Sequence, residues 1–122
     1  MQERKRFVRL DERIDVRYIV PSSGVTKTAL TKDISGGGIR LFASQPLASG
    51  TQVQAALQFP DREAPVHFTG EVVWSEQHET VDRNQRQRLV EIGLRFAEIA
   101  PADRHAVMQH IADRLCAPAP TA

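Results

Sequence analysis

Residues 25–42, VTKTALTKDISGGGIRLF, read as a strand, a turn and a second strand. β-branched residues recur through 25–34, and IRLF (39–42) is again β-prone, while glycines 36–38 stand between them. Glycine removes the steric limit on the backbone, and Asp33 and Ser35 carry short polar side chains that bond nearby backbone groups. The segment is therefore a tight connection between strands. It also admits a second reading. A carboxylate and a hydroxyl beside bulk-free backbone make a surface that a flat ligand can approach, with Asp33 able to accept from the N1–H and N2–H edge of guanine. A phosphate-cradling P-loop does not fit, because no G-K-[ST] ending is present and no helix follows.

Working outward, period-two alternation marks further strands along the chain. Ile14, Val16, Tyr18 and Val20 alternate in 14–20, and PSSG (21–24) is turn chemistry. Val53, Ala55, Leu57 and Phe59 alternate in 51–59. Val66, Phe68, Val72 and Trp74 are placed on one side of a strand over 66–74, and Val90, Ile92, Leu94 and Phe96 alternate in 89–99. The polar stretch 75–88 between these last two is expected to be a mobile hairpin loop. In 101–115 the period changes, with Val107, Met108, Ile111 and Leu115 on one helical face, Pro101 suited to the first turn and Asp103 near the positive end of the dipole. Six strands joined by short turns and followed by one helix argue for an all-β fold, a six-stranded antiparallel barrel with a C-terminal α-helix, because closure protects the sheet edges. The expected organisation is a flexible basic arm over 1–13, one domain over 14–116 and a disordered tail over 117–122.

With 122 residues, one domain is expected. Lys and Arg number 16 against 15 Asp and Glu, so no global field draws in polyanions, and anion binding must come from local clusters. One such cluster is Arg4, Lys5, Arg6 and Arg9, interrupted by Phe7 and Val8. Arginine offers a planar fork for phosphate oxygens or the guanine O6/N7 edge, and a flat face for stacking. The plain alternative is a solvated basic terminus. The single cysteine, Cys116, makes no internal disulfide, and a reducing, cytoplasmic setting is expected. No apolar run approaches the ~20 residues of a membrane span, and no signal peptide is read at the N-terminus. His67, His78, His105 and His110 form no convincing metal set, and Ser35 lies in no nucleophile elbow, so neither a metal site nor an enzyme is expected. Single-stranded nucleic acid is disfavoured by the near-zero charge and by aromatics already assigned to the core.

Taken together, the arm and the loop resemble the ligand signature of the PilZ family, an R-x-x-x-R motif followed by [D/N]-x-S-x-x-G. The second motif is complete as Asp33-Ile-Ser35-Gly-Gly-Gly38. In the first, Lys5 and Arg9 hold the spacing, with lysine in place of the leading arginine and Arg4 and Arg6 at its sides. GEVVW (70–74), EIGLRF (91–96) and a helix after the last strand are also similar to that family, so the likeness covers nearly the whole chain. The resemblance implies a bacterial receptor for cyclic di-GMP with no other cofactor. Its arm closes over the ligand and signals to a partner protein controlling motility, pili, exopolysaccharide or biofilm. It implies that Lys5 and Arg9 engage phosphates and guanine, that Asp33 and Ser35 read a guanine edge and that Gly38 permits close approach. Arg4 and Arg6 are extra contacts, and Gly37 and Trp74 secondary candidates. The alternative on the same fold is a protein-interaction adaptor that binds no nucleotide. Lysine keeps the charge but lacks the bidentate fork, so the departure at Lys5 bears directly on affinity.

Overall fold

The computed structural model describes residues 8–82 and 85–116. Six strands, β1 (Asp15–Ile19), β2 (Thr26–Ile34), β3 (Gly38–Ala43), β4 (Gln52–Gln58), β5 (Val66–Asp82) and β6 (Gln85–Ile99), precede one helix, α1 (Pro101–Leu115). Every pairing is antiparallel, and the order β1-β2-β3-β6-β5-β4 closes on itself through β1 and β4. This is the expected barrel, with no free sheet edge around its wall. The alternation read from sequence sets the two faces. Val16 and Tyr18, Ile39 and Leu41, Val53 and Leu57, Val66 and Phe68, and Val90, Ile92 and Leu94 all point inward and are buried. Phe68 and Phe96 meet edge to face, 4.7 Å between centroids. Burying one such aliphatic side chain is worth about 1.5–3 kcal/mol, so slipping any strand by one residue, which would turn its whole apolar set outward, is strongly disfavoured.

α1 covers one end of the barrel. The β2–β3 turn, the chain entering β1 and the turn from β4 to β5 all lie at that end, and the helix touches each of them. Pro101 stands in the first turn with Asp103, as expected, and Arg114 is in the last. The buried face, however, is Ala106, Val107, His110 and Ile111. Met108 and Leu115, expected on it, are exposed. The helix is short of apolar residues, and a histidine completes its contact face. Among the described residues no helix is long and apolar enough to cross a membrane.

Two further expectations are corrected. The stretch 75–88 is not a loop: β5 runs for 17 residues and β6 for 15, pairing from His78↔Leu89 out to Asp82↔Gln85. β6 pairs with β3 only as far as Val90, which faces Gln77 on β5, so beyond that pair the two strands run on as a ribbon, and the sequence there lacks the hydrophobic period of a barrel strand. Trp74 does not share the side of Val72. The register shifts between Val72 and Trp74, and this bulge turns the indole to the outer wall and leaves Val73 exposed.

Gly38 is required for strand packing. A Cβ there would lie 2.0 Å from the Leu94 carbonyl oxygen and 2.8 Å from the Arg95 Cα, both backbone atoms of β6. Gly38→Ala is expected to lower the unfolding free energy by about 1–3 kcal/mol, the usual range for overpacking, as measured by denaturant titration. An unchanged midpoint would show that β3 and β6 can separate locally without loss.

Candidate functional site

The site grows from the β2–β3 connection. Ser35 closes the turn: its backbone N–H donates to the Gly38 carbonyl at 2.8 Å, its hydroxyl donates to the same oxygen at 3.2 Å, and the Gly37 N–H donates back to the hydroxyl at 3.2 Å. The Gly37 carbonyl accepts from the Phe96 N–H at 2.9 Å. The short polar side chain and the glycines thus form the compact turn expected from the sequence, and tie it to β6.

Register then places the charged groups. Asp33 faces Arg40 across β2 and β3, Arg40 faces Gly93 across β3 and β6, and Gly93 faces Trp74 across β6 and β5. These four residues form one transverse row on the outer wall. Gly93 leaves space for the indole, since a Cβ there would lie 2.6 Å from two ring atoms of Trp74. Asp33 is on the outside of the barrel yet has no exposed surface. Arg40 covers one side, donating from Nε to Oδ2 at 2.7 Å and pairing with that oxygen again through Nη2. Arg9, from the segment preceding β1, covers the other, donating from Nη1 to Oδ1 at 3.2 Å. The Arg40 bond to Asp33, with added attraction from Asp33, Glu91 and Asp11, raises its guanidinium above the ordinary value against the opposing effect of desolvation.

The two arginines are not equal partners. A buried carboxylate stripped of its cations costs about 3–5 kcal/mol, whereas an exposed ion pair contributes about 0–1 kcal/mol. Arg40 makes the shorter contact and is the less exposed, 30% against 52% for Arg9. Arg40 is therefore the fixed counter-ion and Arg9 the exchangeable one.

The segment carrying Arg9 lies on the barrel. Leu10 and Ile34 exchange backbone hydrogen bonds of 2.8 and 3.0 Å. Arg13 donates to the Lys32 carbonyl at 2.7 Å and rests over the Phe42 ring, and the Thr31 hydroxyl donates to the Glu12 carbonyl at 2.6 Å. Arg4, Lys5, Arg6 and Phe7 lie outside the described residues, as does the tail 117–122. Of the sequence candidates, the structure places Arg9, Asp33, Ser35, Gly37 and Gly38 at the β2–β3 connection and sets Trp74 three strands away in the same row. Arg40 and Gly93 were missed. Both had a signal: a hairpin that pairs Ile34 with Ile39 must set residue 40 against residue 33, and a lone glycine within a strand marks a close approach.

Beside this row, Glu76, His78 and Glu91 bring ligand atoms within 4.8 Å of one another. The Lys32 ammonium already sits 2.8 Å from Glu91 Oε1. The like-charged cross-strand pair Glu76↔Glu91 is thus relieved by lysine, and the cluster is an ion-pair patch.

The model of the PilZ domain family matches residues 3–113. Solved structures of similar fold include the Bacillus subtilis inhibitor of motility MotI/DgrA, 23% identical, with a TM-score of 0.65 over 94% of this chain and 52% of that one. The PilZ domain of YcgR from Escherichia coli, solved with c-di-GMP, is 14% identical, with a TM-score of 0.68 over 95% of this chain and 100% of that one. MrkH from K. pneumonia, solved as a c-di-GMP complex, is 18% identical, with a TM-score of 0.73 over 93% of this chain and 53% of that one. This chain thus spans about half the length of the MotI and MrkH chains. At these identities the likeness carries the fold. No curated protein sequence matches this chain significantly.

Asp33→Asn is expected to lower the unfolding free energy by about 1.5–3 kcal/mol, the range for hydrogen bonds to charged groups, and Arg9→Ala by no more than about 1 kcal/mol. Equal losses in denaturant titrations would refute the assignment of Arg9 as the exchangeable partner.

Proposed function

Because this chain belongs to the PilZ domain family, we propose that it is a non-enzymatic receptor for cyclic di-GMP whose N-terminal arm closes over the ligand. The observation that carries this reading is the buried Asp33 carboxylate, held by one fixed and one exchangeable arginine at the end of a row that finishes in an indole. A cyclic dinucleotide offers what each part recognises: two anionic phosphates, guanine edges with adjacent N–H donors, and flat bases.

Arg9 leaves Asp33 for a phosphate or a guanine O6/N7 edge, where its fork makes charge-assisted bonds. The vacated Oδ1 accepts from a guanine N–H, and Arg40 keeps the carboxylate neutralised throughout. The exchange replaces one partner of a buried charge by another and never leaves it bare, which keeps the barrier to ligand entry low. Trp74 supplies a face on which a base stacks, with Gly93 beneath the indole. Ser35 and Gly38 act through the turn they hold. Arg4, Lys5 and Arg6 extend the cationic arm over the phosphates, with residues 1–13 as the arm, 14–116 as the barrel and 117–122 as the tail. Ordering each arm residue costs about 1–2 kcal/mol of backbone entropy, which several charge-assisted contacts offset. The arm's new surface then signals to a protein partner in the cytoplasm. MotI bears the description inhibitor of motility, and control of motility is the corresponding proposal for this chain, with pili, exopolysaccharide and biofilm as other outputs of the same switch.

Calorimetric titration with cyclic di-GMP is expected to show saturable binding accompanied by a change in the fluorescence of Trp74, the only tryptophan. Arg9→Ala removes charge-assisted bonds to the ligand worth about 1.5–3 kcal/mol, so affinity should fall about tenfold or more. Lys5→Arg should tighten binding if the arm works through its fork. A wild-type protein that gives neither heat nor a fluorescence change removes the receptor reading.

A further inference from the structure

His110 is a buried imidazole with no part in the site just described. It is 4% exposed and stacked on Phe59, with ring centroids 4.1 Å apart and planes 21° from parallel. Its Nε2 lies 3.1 Å from Glu12 Oε2, and its Nδ1 faces Asp61 Oδ1 at 3.7 Å. Arg114, one turn further along α1, approaches the same Glu12 oxygen at 3.5 Å. Glu12 is three residues beyond Arg9, and between them Leu10 is bonded to Ile34, next to Asp33. At its other end α1 reaches the second half of the site, where Arg104 donates from Nη1 to the Gly36 carbonyl at 3.3 Å. One helix therefore holds both the root of the arm and the turn that carries the motif.

We propose that α1 is the regulatory clamp of the ligand site, with His110, Glu12 and Arg104 as positioning residues that join the arm root to the β2–β3 turn. This rests on the receptor reading above. A docked α1 keeps Glu12, and with it Arg9, in place before the ligand arrives, so the ligand has less chain to order. Coupling between two sites is reciprocal. A protein that draws α1 off the barrel end lowers the affinity for the ligand by a given factor, and the bound ligand weakens that protein's grip by the same factor. The composition of the helix suits this role. Its inner face buries only two branched aliphatic residues, Val107 and Ile111, so polar contacts carry a large share of the attachment. Hydrogen bonds and ion pairs of this kind can be exchanged for those of a partner more readily than a continuous apolar face.

The test uses the full chain and cyclic di-GMP. Glu12→Ala and Arg104→Ala are each expected to raise Kd about 5- to 30-fold, within the ordinary range of coupling between sites. Glu12→Gln, which retains an acceptor for His110, should recover most of the loss. In the wild type, ligand should slow amide hydrogen exchange along α1, which a helix that only fills the barrel end would not show. Both variants binding within about twofold of the wild type, or α1 exchange that ignores the ligand, would overturn the clamp. If the wild type binds no cyclic di-GMP, the receptor reading fails, and the clamp is decided in the free protein. There Glu12→Ala must speed exchange at the Leu10 and Ile34 amides, and unchanged rates would overturn it on their own.

Discussion

A carboxylate with no exposed surface stands on the outer wall of this barrel, and the arrangement around it follows from the need to compensate its charge. Asp33 has lost its water and gained two guanidinium groups. Arg40 is supplied by strand register and cannot be elsewhere while β2 and β3 are paired. Arg9 is supplied by chain that has not yet entered the barrel. The same charge thus ties the paired wall of the barrel to a segment held by a few bonds.

The wall beside Asp33 is shaped by absent side chains and by irregular pairing. Gly38 lets β3 lie against the backbone of β6. Gly93 makes room for the indole, and the bulge after Val72 turns that indole outward. A regular β5 would have driven Trp74 into a core already filled by Phe68 and Phe96. The irregularity instead leaves an aromatic surface level with a pair of arginines. The row of Asp33, Arg40, Gly93 and Trp74 thus lies on the outer face of a barrel whose inside is filled by side chains.

At the capped end the helix repeats the logic of the site. A buried histidine, carboxylates from the entering chain and from a turn, and an arginine share one small volume. The contacts reach the segment that bears Arg9 and the turn that bears Ser35. Hydrogen bonds and ion pairs thus connect the helix to both halves of the site.

By itself the sequence determined the barrel. Period-two patterning in four segments, two further β-prone segments and a change of period after Pro101 leave few ways to bury the apolar residues. Asp33, Ser35 and Gly38 were legible as a motif for the same reason: their spacing is local, and a turn is a local object. Tertiary structure alone decided the rest. The ribbon over 75–88 was illegible because beyond Gln77 and Val90 it continues past the pairing of β6 with β3, and its sequence has no hydrophobic period. The side taken by Trp74 depended on a single bulged residue, which changes parity without changing composition. His110 was hidden because its partners, Glu12 and Asp61, lie 98 and 49 positions away and become neighbours only when the helix docks. Spacing along the chain encodes what neighbouring residues can do together. Charges that compensate one another across the fold are recorded only in the packing.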